Sequence, residues 1–93
     1  MEENRRMGIY IPRKVLSDSQ LGPTFKLVYA VMLANTDADD ICTMTGAEIA
    51  EYLAMSETAA VHARWMLVQL GYVQRISAKR HEYRVVRDGG GDG

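Results

Sequence analysis

The chain contains a single cysteine, Cys42, which excludes an internal disulfide framework and any cysteine-only metal site. No long apolar run is present. The longest, residues 27–34 (LVYAVMLA), falls far short of the ~20 residues needed to span a bilayer. No apolar stretch follows the charged start MEENRR, so nothing there reads as a secretory signal. No charge sign dominates: 11 Lys+Arg against 12 Asp+Glu give a formal charge of −1, which argues against a polycationic nucleic-acid binder. With 93 residues the chain accommodates one domain and a modest core, too little for a multi-layer enzyme around a deep cleft. No Ser-His-Asp or Cys-His pairing, phosphate-cradling glycine loop or carboxylate pair is readable, so no enzyme is expected. Cys42, His62 and His81 lack metal-ligand spacing, and Asp37, Asp39 and Asp40 lack the glycine and terminal glutamate of a calcium loop. The expectation is a soluble, cytoplasmic domain with no cofactor and no membrane partner.

What is present is ordinary globular material, 47% hydrophobic and 25% charged, which excludes a disordered chain. Residues 1–7 and the glycine-rich 88–93 read as tails, leaving 8–87 as the domain. Residues 8–16 (GIYIPRKVL) read as an irregular arm or short strand around Pro12. Gly22 and Pro23 open a helix to about Asn35 that is apolar over most of its surface, as suits a central helix. A polar turn and a short strand candidate, residues 41–44, follow. Thr45 and Glu48 have capping-box spacing, and a helix from there stops near Met55. Ser56 caps the next helix, which ends at Leu70 with Gly71 as its exit residue. Two β-rich stretches, 72–77 and 82–87, close the domain as a hairpin around residues 78–81.

Two short helices joined by a tight turn and followed by a hairpin make a helix-turn-helix with a wing. Residues 49–73 (IAEYLAMSETAAVHARWMLVQLGYV) resemble the winged-helix family of bacterial DNA-binding proteins without gaps. Ala50 and Leu53 match its first-helix core, Ser56 its cap, and Leu67, Leu70 and Gly71 the exit into the wing. Tyr10-Ile11-Pro12 through Leu21-Gly22-Pro23 looks like the start of winged-helix domains in phage and plasmid replication and regulatory proteins. The resemblance spans residues 10–87. It implies an α+β fold: three helices in a winged helix-turn-helix, a C-terminal β-hairpin wing, and a short strand before the second helix. It also implies binding of double-stranded DNA, by a homodimer or cooperative oligomer, in transcriptional regulation or in replication or partition control of a mobile element. The alternative is a winged-helix module that binds another protein and does not read bases. Two positions depart from the pattern: Ala54 stands where the turn usually has glycine, and Arg64 near a position usually aliphatic.

The net charge conceals a segregation. Residues 37–57 carry six acidic groups and no basic one, whereas the hairpin, residues 74–87, carries five basic groups and Glu82. Arg75, Lys79, Arg80 and Arg84 are therefore the expected phosphate contacts, with Arg13 and Lys14 on the arm. The competing reading is a solvated edge hairpin guarded by its charges. On the recognition helix Thr58, His62 and Arg64 are the candidate DNA contacts, the Arg64 guanidinium reaching the surface past apolar neighbours. His62 reads equally well as an exposed residue without a partner. Val61, Trp65 and Val68 share a stripe expected to pack under the wing or the arm. Left exposed, the same stripe is an interaction patch. The acidic loop and the first helix of the motif are expected to face away from DNA.

Overall fold

The computed structural model describes residues 11–86. The tails, residues 8–10 of the arm and Arg87 lie outside them. The element order is α1 (Arg13–Leu16), α2 (Pro23–Ala34), β1 (Ile41–Cys42), α3 (Gly46–Leu53), α4 (Glu57–Gln69), β2 (Val73–Ser77) and β3 (Glu82–Val85). Four helices thus accompany a three-stranded antiparallel sheet of order β1-β3-β2, an α+β arrangement. The arm differs from expectation. Pro12 precedes a single helical turn, its carbonyl accepting from the Leu16 amide, because the proline ring suits a position ahead of helix rather than inside it.

α2 is the central helix. Gly22 is its N-cap, Pro23 its first residue, and Val28 to Leu33 are all buried against α3, α4 and β3. Each aliphatic side chain so buried contributes on the order of 1.5–3 kcal/mol. Asn35 and Thr36 return side-chain hydrogen bonds to the carbonyls of Val31 and Leu33 and end the helix. The Asp37 carboxylate then accepts from the amides of Asp39 and Ile41, closing the loop that delivers the chain to β1.

The start of α3 follows from its sequence. Thr45 Oγ1 accepts from the Glu48 amide at 3.1 Å, and Glu48 Oε1 accepts from the Thr45 amide at 2.9 Å. Its end carries the departure noted above: Ala54 adopts a left-handed conformation, φ 56°, while Met55 N–H reaches back to the Ala50 carbonyl. Ser56 Oγ accepts from Ala59 N–H to open α4. At the far end Gly71, φ 88°, donates to Val68, and Tyr72 to Leu67. The two helix exits therefore use the same pair of backbone bonds, one through glycine and one through alanine.

β3 is the middle strand, pairing Ile41 with Arg84 on one side and Val73 with Val85 on the other. The β2 register shifts between Arg75 and Ser77, leaving Ile76 as the extra residue of a bulge. Alternation places Val73, Arg75, Tyr83, Val85 and Cys42 on the helix-facing side, and Gln74, Arg84 and Ile41 on the other. The base of the hairpin is tied inward: Tyr29 Oη donates to the Val86 carbonyl at 2.8 Å, and Tyr72 Oη donates to Asp18.

Candidate nucleic-acid interface

The hairpin carries its basic residues in three directions. Arg84 lies on the face away from the helices, where Nη1 donates to Gln74 Oε1 at 3.2 Å. Arg75 lies on the other face, beside α4. Lys79 and Arg80 occupy the exposed tip, with Arg80 Nε 3.9 Å from the Glu82 carboxylate. Tip geometry is set locally: Ser77 Oγ accepts from the Arg80 amide, and His81 takes φ 57° to reverse the chain.

Arg13 and Lys14 are exposed on α1. The α1 segment meets the hairpin at its base, through Asp18 and Tyr72, and the tip lies a full strand length away. Tyr72 thus anchors the arm at the end of the hairpin opposite Lys79 and Arg80, and nearer to Arg84.

α4 holds the remaining expected contacts. Thr58 and His62 are exposed, and the His62 ring lies between Phe25 (centroids 5.8 Å) and Trp65 (6.3 Å, 25° between planes). Arg64 departs from expectation. It does not reach the surface: at 7% exposure its guanidinium sits 4.3 Å from the Tyr83 ring centroid, and Nη1 donates to the Met44 carbonyl at 3.1 Å. It occupies the aliphatic core position because the sheet supplies an aromatic face and the segment before α3 supplies an acceptor.

The stripe beside it is corrected in the opposite sense. Val61 is 41% and Trp65 53% exposed, and Val68 is half-buried, so neither the hairpin nor the described residues of the arm cover Val61 and Trp65, and their exposure fits the alternative of an interaction patch. The hairpin residues that line the groove beside that stripe are Arg75 and Tyr83, and the Tyr83 ring is covered by Arg64. Glu57, the first residue of α4, also borders this surface, together with Thr58, Val61, His62 and Trp65.

Two contributors were missed in the sequence. Gln69 lines the groove between α4 and β2, and Phe25 backs His62 from α2. Gln69 was findable, being one helical turn beyond Trp65; Phe25 requires the α2–α4 packing. Cys42 is fully buried, and burial pushes its thiol up, so it packs as a small apolar residue.

The chain matches no protein-family model, no curated protein and no solved structure. Among the described residues no helix is long and apolar enough to cross a membrane.

Proposed function

We propose that this chain is a winged helix-turn-helix module that binds double-stranded DNA through its hairpin. The observation that carries the reading is the set of exposed cations, Arg75, Lys79, Arg80 and Arg84, distributed over both faces and the tip of one hairpin. A hairpin entering a groove of DNA has a phosphate backbone on either side of it, so charge on both faces and at the tip suits that position. The two helices beside it, joined through Ala54 to Ser56, support the same reading, because they resemble in sequence a helix-turn-helix that delivers a wing to DNA. In this reading α4 lies near the major groove and contributes Thr58 and His62, whereas Arg64 holds the fold together. A domain this small covers little DNA, so binding proceeds as a homodimer or cooperative assembly. The role is binding, not catalysis, in regulation or in replication or partition control of a mobile element.

A second reading, a module that docks another protein, draws on the exposed Val61 and Trp65, on Glu57 beside them and on the spread of the hairpin's basic residues in three directions. Anisotropy titrations of labelled duplexes at low salt test the first reading. Measurable affinity for random and operator-like duplexes alike is expected. Absence of any affinity on both would leave the second.

A further inference from the structure

The exposed face of α4 has no fixed cation to set against phosphates, so beyond Thr58 and His62 it gives the duplex little. From Glu57 to Trp65 its exposed residues include Thr58, Val61 and His62 but no lysine or arginine, and Glu57 adds a negative charge. Its exposed apolar side chains are two, Val61 at 41% and Trp65 at 53% exposure.

What this face does have is an exposed aromatic plane beside polar groups. Trp65 rests on His62, which is backed by Phe25, so the indole is braced from one side. On the hairpin side it walls a groove of about 150 Å³ shared with Val61, Arg64, Val68, Gln69, Arg75 and Tyr83, the Arg64 guanidinium being held on the Tyr83 ring. A space of that volume admits one small aromatic ring. Gln69 offers both a donor and an acceptor to the edge of such a ring, and Arg75 offers a fixed cation on the neighbouring strand.

We propose that the α4–β2 groove binds an unpaired nucleobase, stacked beside Trp65, with Gln69 on its edge and Arg75 on its phosphate. The proposal rests on the nucleic-acid reading above and adds a ligand to the part of α4 that the duplex reading leaves idle. A base inside a duplex has both faces covered by its neighbours, whereas an unpaired one offers a face to an aromatic side chain and does so with little regard to sequence. Arg75, on the hairpin face toward α4, then meets the phosphate where the unpaired nucleotide leaves the duplex, while Lys79, Arg80 and Arg84 hold the duplex itself, so one domain grips double-stranded DNA next to an opened or single-stranded segment. Pyrimidines are the expected guests, given the size of the groove.

The chain has one tryptophan, so its emission reports this site alone. The full chain is titrated with a short oligothymidylate while indole fluorescence is followed, and binding of labelled oligothymidylate and duplex is measured in parallel by anisotropy. Saturable quenching by the single strand is expected. Trp65→Ala weakens oligothymidylate binding by about 5- to 100-fold and leaves duplex affinity unchanged, and Trp65→Phe retains part of the binding. Arg75→Ala lowers the salt dependence of single-strand binding by about 0.7. Trp65 is exposed, so neither of its substitutions endangers the fold. Equal oligothymidylate affinity in the parent and Trp65→Ala overturns the proposal. So does an emission change that follows protein concentration without DNA, accompanied by dimer formation in sedimentation, which assigns the groove to a second copy of the chain. Loss of duplex binding with quenching intact would instead remove the hairpin reading and leave this one standing.

Discussion

The Arg64 guanidinium lies over the Tyr83 ring, 4.3 Å from its centroid, and joins α4 to the central strand while Nη1 donates to the Met44 carbonyl ahead of α3. One side chain thus connects α4, the sheet and the entry to the helix pair. Arg64→Ala is expected to lower stability by about 2–4 kcal/mol, combining a desolvated cation–π contact with a charge-assisted hydrogen bond. Arg64→Lys restores this only in part, because an ammonium cannot stack flat on the ring and reach the carbonyl as the planar guanidinium does. Urea unfolding measures the loss, and the folded variants retain duplex affinity. A stable Arg64→Ala protein with impaired DNA binding would return Arg64 to the interface.

A methyl group on Gly46 would overlap Val61 Cγ2, so the first residue of α3 is glycine because α4 passes so close. Val61 is β-branched and has little freedom to rotate away. Gly46→Ala should cost about 1–3 kcal/mol. Adding Val61→Ala should recover most of that, giving a coupling of about 1 kcal/mol or more in a double-mutant cycle. Additive effects would show that the clash is relieved elsewhere.

The paired helix exits give an internal comparison. Ala54 (φ 56°) and Gly71 (φ 88°) occupy the same left-handed position after α3 and α4. Ala54→Gly removes the Cβ penalty and should stabilise by about 0.5–1 kcal/mol, the gain being reduced by the greater freedom of glycine in the unfolded chain. Gly71→Ala should destabilise by about 1 kcal/mol or more. Thermal unfolding of the two variants is expected to move in opposite directions.

This pairing also shows where the sequence was legible. Thr45 with Glu48, Ser56, Gly71 and the Gly22-Pro23 start all act within a few residues of themselves, and each cap forms as its spacing requires. Features that depend on distant partners were misread. Arg64 looked bound for the surface because its partners, Met44 and Tyr83, lie about twenty residues away on either side. Trp65 looked buried because apolar spacing does not tell whether the facing strand is apolar. Arg75, two residues beyond buried Val73 and thus on the same side of β2, was the available sign that it is not. The hairpin charges were visible in sequence; their spread over two faces needed the register.

The contact between Asp18 and Tyr72, which fastens α1 to the hairpin base, makes stability depend on pH at both extremes. The Tyr72 hydroxyl, and then the Gln20 amide, hold the Asp18 carboxyl below its ordinary range. Its contribution is therefore full above about pH 4, the unfolded value, and is lost as pH falls through the lower folded value. Burial first, and Asp18 second, push Tyr72 up to about 12. That contribution is full below about pH 10 and is lost as pH rises from there towards 12. Tyr72→Phe should flatten both limbs of the stability–pH profile. An unchanged acid limb would show that Asp18 does not depend on Tyr72.

The central claim, that the hairpin grips the backbone of duplex DNA, is tested most directly by the salt dependence of binding in the parent and in Lys79→Ala/Arg80→Ala. Each phosphate neutralised contributes about 0.9 to the slope of log affinity against log salt. The double variant should bind more weakly on every duplex sequence, with a slope shallower by about 1.8. An identical slope in the two proteins would contradict the account.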